Sequence, residues 1–583
     1  MLLEKIQSPA DVKKLSADEL KTLAAEIREA LVRKVSTRGG HCGPNLGVVE
    51  LTIALHRVFD SPRDKIVFDV SHQSYPHKML TGRARAFVDP AHWEDVTGYT
   101  EPTESEHDHF LVGHTSTSVS LALGLATARD LKGGDWNVVA VIGDGSLSGG
   151  EAFEGLDNAG EYATNFVVVV NDNEMSIAEN HGGLYRSLAA LRESGGAASD
   201  NYFKALGFDY LYVEEGNDVA ALEEAFRKVK GTKKPVVVHV HTRKGLGLRC
   251  AEERKETFHW SGPFDPETGK PRGEGGENWP DVLRDYLVGK IESDPDVVVV
   301  HSAVPVGIGF TEDVRKRVGK RFVDVGIAEE HAVALVSGMA RGGAKPVYST
   351  HGTFIQRAYD QISQDLAVNG NSATILVTMS GADGMNDASH LCIFDIPMIS
   401  GIPNVLYLCP TCVEEFRAMA DWAIDQRERP VAIRVPNAVQ HRDAAFDADC
   451  SGALRYRIER EGAQVALLGL GDFFERAERA ADLLAESGIR ATVVNPRFAS
   501  GVDGETLDAL AATHELFVTL ENGSVAGGFG EHVAARLAAR GAKTLVRGLP
   551  KEFYDRVPFD ELLRRNRLMP EQIAEDALAA LGK

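Results

Sequence analysis

The chain contains no apolar run approaching the ~20 residues that a membrane-spanning helix requires, which excludes a helical transmembrane protein. Its first fifteen residues mix charges with apolar side chains and lack a hydrophobic core segment for export, so a cytoplasmic location is expected. Cysteine is scarce. Six residues, at positions 42, 250, 392, 409, 412 and 450, are scattered through 583 and make no disulfide framework, which fits a reducing compartment. Cys409-Pro410-Thr411-Cys412 has the spacing of a redox or zinc pair, but no second pair lies near it, and it reads as a loop with two incidental thiols. Positive charge is in deficit: the net charge is −22 and no basic face is evident, which excludes nucleic acid as a partner. A small anionic ligand is not excluded, since a few local groups suffice to hold one. No repeat of solenoid length and no low-complexity segment is present.

What is there is a globular composition, 43% apolar and 25% charged, in a chain too long for one core. Residues 1–263 alternate helical patterns with β-rich runs and end in Val236-Val237-Val238-His239-Val240, which predicts a parallel sheet covered by helices on both faces. Residues 264–280, rich in Gly, Pro and charge, read as a linker. A second α/β unit is expected over 281–440, with strands near 296–300, 373–378 and 431–435 and a helix over 327–340. After the polar stretch 440–451, a third occupies 452–583, with strands near 465–468, 491–494 and 516–520.

The most informative motif is split. Gly143-Asp144-Gly145 closes the apolar run 138–142, and Asn171-Asp172-Asn173 closes the run 166–170, with a helix expected over 151–160 between them. Two buried parallel strands would then end in a carboxylate and an amide at similar depth. Glycines beside Asp144 let the backbone approach phosphate oxygens, and a helix N-terminus offers N–H groups to an anion. Asp144, the Asn173 amide oxygen and a nearby carbonyl, that of Met175, would suit a hard octahedral cation such as Mg²⁺ that also holds a diphosphate.

Several longer motifs carry a resemblance. Gly40-His41, the run from Asp69-Val70-Ser71-His72 to Thr81-Gly82-Arg83, Gly113-His114-Thr115-Ser116, the two motifs above, Ile327-Ala328-Glu329-Glu330-His331 and Gln356-Arg357-Ala358-Tyr359-Asp360-Gln361 resemble the 1-deoxy-D-xylulose 5-phosphate synthases, which are transketolase-like enzymes using thiamine diphosphate. The likeness runs from about residue 20 to the C-terminus. It implies three doubly wound α/β domains: pyrophosphate-binding (1–263), pyrimidine-binding (281–440) and C-terminal (452–583). It also implies thiamine diphosphate and Mg²⁺ as cofactors, a two-carbon transfer from pyruvate or another 2-oxo acid to an aldehyde, and a homodimer.

The resemblance assigns roles residue by residue. Glu329 corresponds to the glutamate that activates the cofactor and Phe354 to the aromatic that stacks on its pyrimidine. His72, Gly113, His114, Thr115, Asp144, Gly145, Ser146 and Asn173 fall on the cofactor's diphosphate side, and Asp144, Asn173 and Met175 on the metal. His41 and His259 belong to the substrate side, with His390 at the position of the family's acceptor-site histidine.

Departures from the family cluster in one place. It reads an acceptor phosphate with two arginines, and the matching positions here are Met379 and Asn437, which cannot reproduce bidentate contacts. Asn386 stands for an aspartate and His351 for a tyrosine, and the chain after Asn173 is shorter. A carboligase with an acceptor other than glyceraldehyde 3-phosphate is expected. The alternatives are an ordinary synthase gripping phosphate through Arg357, His351 or His390, a transketolase, a lipoyl-acylating component, and a paralogue that binds thiamine diphosphate without turnover.

Overall fold

The computed structural model describes residues 1–273, 275–443 and 455–583. They form two compact units, 1–275 with 326–328, and 276–325 with 329–583.

In the first unit the helix Ala17–Arg38 begins at a capping box, where Ser16 and Glu19 satisfy each other's main-chain N–H groups. Its buried residues Leu20, Leu23, Ala24, Ile27 and Leu31 recur at helical spacing. Five parallel strands follow: β1 (Lys65–Phe68), β2 (Val138–Gly143), β3 (Val167–Asp172), β4 (Asp209–Val213) and β5 (Val236–His241), in the order β1-β2-β3-β5-β4. Alternate side chains go to opposite faces. Val139, Val141, Val167 and Val169 pack with Leu222 and Phe226, whereas Ala140, Ile142, Val168 and Val170 pack with Val119, Ala126 and Leu156. Burial on both faces accounts for the continuous valine runs, which period alone does not assign. Gly143 lies opposite Asn171, so β2 and β3 end at one level.

The stretch read as a linker is packed over its first part. Phe264 is buried against Phe258, with ring centroids 5.0 Å apart, and bridges Pro271. Its surrounding polar composition hid an apolar anchor. The polar stretch 440–451 falls largely outside the described residues.

The second unit holds two sheets. The first is fully parallel: β6 (Val297–His301), β7 (Phe322–Asp324), β8 (Lys345–His351), β9 (Thr374–Thr378), β10 (Leu406–Leu408) and β11 (Val431–Arg434), ordered β10-β11-β9-β8-β6-β7. The other comprises β12 (Arg457–Arg460), β13 (Gln464–Gly469), β14 (Thr492–Asn495), β15 (His514–Ser524) and β16 (Lys543–Leu549), ordered β12-β14-β13-β15-β16 with β12 antiparallel. Three sheets were expected and three are found. The last two share one apolar core, in which Leu408 and Cys409 pack with Phe498, Ala499 and Leu468, and this joins them into one unit.

Candidate active site

In parallel sheets the carboxyl ends of strands are where loops gather functional groups. Non-glycine residues with positive φ stand just beyond several such ends, among them Val70 (57°) after β1, Glu174 (66°) after β3, Ala303 (58°) after β6 and Met379 (56°) after β9. For the β-branched Val70 this conformation is costly and persists only because its surroundings impose it.

In the first unit Asp69 follows β1 and accepts hydrogen bonds from the main-chain N–H of Ser116 (2.8 Å) and Ser118 (3.0 Å). This anchors the loop carrying Gly113, His114 and Thr115. Ser116 Oγ donates to Ser146 O (2.8 Å), tying that loop to the turn after β2. Asp144 begins that turn and is buried; burial and the nearby Asp172 carboxylate push its carboxyl well above the usual carboxylate range, against the pull of Asn180 and Lys244. Asp172 does not face the same way: it accepts from His239 (2.8 Å) and Arg192.

The residues fit a cation with a diphosphate. Asn173 Oδ1 and Asn180 Oδ1 are buried and accept no hydrogen bond, and Asn180 Nδ2 donates to Asp144 Oδ2 (2.7 Å). A Cβ on Gly145 would come within 2.9 Å of Ser176, so only glycine leaves the turn this close to the loop bearing Met175. Among the described residues no three His, Cys, Asp or Glu side chains converge as metal ligands.

Three of the four histidines meet. His41, His72 and His259 have ring centroids 5.0, 5.7 and 5.2 Å apart, with Tyr99 6.0 Å from His41. His41 precedes the short helix Gly43–Gly47 rather than following a strand. Burial, then Lys244 and the other two rings, hold His259 well below the usual imidazole range, so it is neutral. His114 lies in the anchored loop outside this ring cluster.

Three residues of this unit escaped the sequence reading. Asn45 donates to the carbonyls of both His41 and His72 (2.8 Å each). Lys244, 2% exposed, donates to Ser176 O (2.6 Å), and burial lowers its ammonium to about 7 while Asp144 opposes that shift. Asn180 is the third. Lys244 carried the one readable signal, a lysine at the end of an apolar strand in a glycine-flanked turn.

In the second unit Glu329 opens the helix Glu329–Arg341 and is buried. Burial raises its carboxyl to about 7 against the Arg357 guanidinium, whose Nη1 lies 3.8 Å from Oε2. Oε2 accepts no hydrogen bond.

His351 ends β8 and exchanges a hydrogen bond with Thr378 Oγ1 (2.8 Å); burial holds its imidazole down at about 3. Phe354 stands between His351 (5.7 Å) and His390 (5.9 Å), ring centroid to centroid. His390 Nδ1 meets Asp387 (3.0 Å) and Ser389 (2.9 Å). Gly381 pairs with Cys392, closing the loop that carries His390. Met379, 38% exposed, and Asn437 stand beyond β9 and β11, neighbours in the sheet, and β9 lies next to β8, so both are to one side of the His351 end of β8. Asn386 is exposed and accepts from Arg556 N through its carbonyl (2.6 Å). Asp383, Asp472 and Asn522, which no motif marks, join Asn437 in one network.

Comparison with known proteins matches the first unit to one family and the second to two. The family described as 1-deoxy-D-xylulose-5-phosphate synthase matches residues 3–199 and 194–242, the transketolase pyrimidine binding domain matches 277–439, and the transketolase C-terminal domain matches 455–573. A 1-deoxy-D-xylulose-5-phosphate synthase of Symbiobacterium thermophilum is 40% identical over 623 aligned residues, covering 100% of this chain and 95% of the relative. One of Desulforudis audaxviator is 39% identical, covering 95% and 93%. Among solved structures, a transketolase of Pichia stipitis in complex with sedoheptulose 7-phosphate covers 97% of this chain and 98% of its own at 16% identity and a TM-score of 0.46.

Proposed function

Because this chain belongs to the 1-deoxy-D-xylulose-5-phosphate synthase family, we propose that it is a thiamine diphosphate- and Mg²⁺-dependent carboligase. It decarboxylates pyruvate and transfers the two-carbon unit to an aldehyde. When bound, thiamine diphosphate supplies an acidic carbon and an electron sink for the decarboxylation. The chain's own residues do the rest. Asp144, Asn173 and the Met175 carbonyl hold Mg²⁺, Lys244, His72 and the Gly113–Thr115 loop meet the diphosphate, and the neutral His259 with His41 lines the substrate side.

The observation that carries this reading is Glu329: a buried carboxyl whose Oε2 makes no hydrogen bond, with the Arg357 guanidinium 3.8 Å away, and whose proton affinity lies near neutrality. A carboxyl in that state exchanges a proton at Oε2 with a ligand nitrogen at little cost. A purely structural helix-end carboxylate would be hydrated or directly hydrogen-bonded.

The acceptor is an aldehyde other than glyceraldehyde 3-phosphate. Met379 and Asn437 stand at neighbouring strand ends where the family resemblance calls for phosphate-binding arginines, and Arg357 is drawn to Glu329 instead. The enzyme works as a homodimer in the cytoplasm. Its five described cysteines are all free and buried, in keeping with a reducing compartment, and no helix among the described residues is long and apolar enough to cross a membrane.

The test is carbon dioxide release from pyruvate by the full chain with thiamine diphosphate and Mg²⁺, compared with Glu329→Gln. Release by the unaltered protein that falls by a factor of about 10³ in the variant is expected for loss of an essential proton-transfer group. No release from pyruvate by the unaltered protein rejects the reading.

A further inference from the structure

Beyond β9 and β11 the structure pairs an amide with a carboxylate. Asn437 Nδ2 donates to Asp383 Oδ1 (2.6 Å) and to Ser380 O (2.5 Å). Both amide protons are thereby placed, and Asn437 Oδ1 is left buried with no hydrogen bond. Asp383 is exposed; its Oδ1 also accepts from Asn522 Nδ2 (2.6 Å), while its Oδ2 accepts nothing among the described residues. The capacity these two residues have left is therefore that of acceptors, with no donor.

The surrounding charges do not reverse this. Arg434 is committed to Asp395 (2.7 Å) and to Asn522 O (2.7 Å), with Asp472 at 3.5 Å. Asp395 is further occupied by Tyr407 (2.6 Å). Asp472 accepts from Asn522 (2.8 Å) and lies in the field of Asp383. Arg476 stacks over Phe473 (5.2 Å) and Phe559 (5.6 Å) and lies in the field of both Asp383 and Asp472. The guanidiniums near Asp383 and Asp472 are thus already engaged, Arg434 by Asp395 and Arg476 by aromatic rings. A phosphate monoester, with a charge of about −1.5 to −2 and only acceptor oxygens at neutral pH, meets like charge and no donor at Asp383 and Asn437. A terminal ammonium or hydroxyl has protons to give to both.

We propose that Asp383, with Asn437, selects the acceptor: a small aldehyde whose far end is a hydrogen-bond donor, ammonium or hydroxyl, and not a phosphorylated one. The assignment rests on the carboligase reading above. In the transfer, pyruvate loses its carboxylate carbon as carbon dioxide, a bond forms between its carbonyl carbon and the aldehyde carbon, and the aldehyde oxygen takes up one proton, giving an α-hydroxy ketone. Asp383 touches none of these bonds. It holds the remote end of the acceptor and is a specificity residue.

The experiment supplies the full chain, loaded with thiamine diphosphate and Mg²⁺, with pyruvate and one of three aldehydes: 3-aminopropanal, D-glyceraldehyde or D-glyceraldehyde 3-phosphate. Carbon dioxide release is followed together with the mass of the hydroxy ketone. One of the first two is expected to exceed the phosphorylated aldehyde at least tenfold in kcat/KM, and which one leads separates ammonium from hydroxyl. Asp383→Leu is expected to raise the KM of that acceptor tenfold or more with a smaller change in kcat, and Asp383→Glu to recover part of the loss. Asp383→Arg combined with Asn437→Arg is expected to shift preference toward the phosphorylated aldehyde. If glyceraldehyde 3-phosphate is the best acceptor of the unaltered protein, or a folded Asp383→Leu keeps its acceptor KM, the assignment is overturned while the carboligase reading stands. Absence of carbon dioxide release with every acceptor removes the carboligase reading and the assignment with it.

Discussion

Asn180 Nδ2 donates to Asp144 Oδ2 at 2.7 Å, so the carboxylate that closes β2 is oriented by a residue of the loop that follows β3. One carboxylate oxygen is thereby engaged and the other is left to a cation, with Asn173 Oδ1 buried and lacking a partner in the same unit. Ligand orientation by an outer hydrogen bond commonly carries 10–100-fold in metal affinity. Asn180→Ala is expected to weaken Mg²⁺ binding by about tenfold. Titrating the metal into protein with excess thiamine diphosphate, followed by tryptophan fluorescence, measures it; an unchanged midpoint would show that Asp144 needs no such support.

Glu329 couples function to a stability cost. Its carboxyl is raised to about 7 from an ordinary 4.5 by burial. Below 4.5 both the folded and unfolded forms are protonated and the cost is absent. Between 4.5 and about 7 the unfolded chain releases the proton while the folded one keeps it, so stability falls as pH rises, and above 7 the loss is constant at about 3 kcal/mol. The cofactor-free Glu329→Gln protein is therefore expected to be more stable than the unaltered one at pH 8, with the difference vanishing toward pH 4.5. Urea unfolding midpoints at a series of pH values test this, and a difference that does not grow with pH would mean the carboxyl is not strained in the folded state.

Lys244 is a buried cation in a unit built for anions. Its Nζ makes one hydrogen bond, to Ser176 O, and lies near the Asp144 carboxylate. Replacing it with methionine keeps the apolar stem and removes the charge. Lys244→Met is expected to lower affinity for thiamine diphosphate at least tenfold and to leave affinity for unphosphorylated thiamine unchanged, as read by calorimetry. Equal losses for both ligands would point to a packing defect.

The residues that sequence could reveal differ from those it could not in how their role is encoded. Asp144 and Asn173 were legible because each closes an apolar strand, and strand ends at one level follow from parallel pairing. Glu329 was singled out only through the family resemblance, since a carboxylate at a helix start also serves the helix dipole. Asn45, Asn180 and Asp383 were not legible, because each acts on a residue distant in sequence: Asn45 on His72, Asn180 on Asp144, Asp383 on Asn522. Nothing in their own neighbourhoods distinguishes them from loop residues. The merging of the last two sheets into one unit was hidden for a related reason. Its cause is a shared apolar core whose residues, such as Leu408 and Phe498, read locally as ordinary interior.

The Cys409–Cys412 pair supplies a last test, because its spacing admits a redox role that its environment opposes. Both side chains are fully buried and free. Burial pushes the Cys409 thiol above the usual range and the Cys412 thiol up to about 11, so neither holds a reactive thiolate at neutral pH. Cys412 has a structural task instead: its sulfur accepts from Glu415 N at the start of the helix Val413–Asp425. Brief alkylation of the native protein at pH 7.5 is expected to leave both unmodified, and the same treatment in denaturant to modify both, as read by peptide mass spectrometry. Fast modification of Cys412 in the native protein would show that its thiolate is stabilised after all and would return the pair to redox chemistry; protection of both makes the CxxC spacing a product of helix capping and core packing.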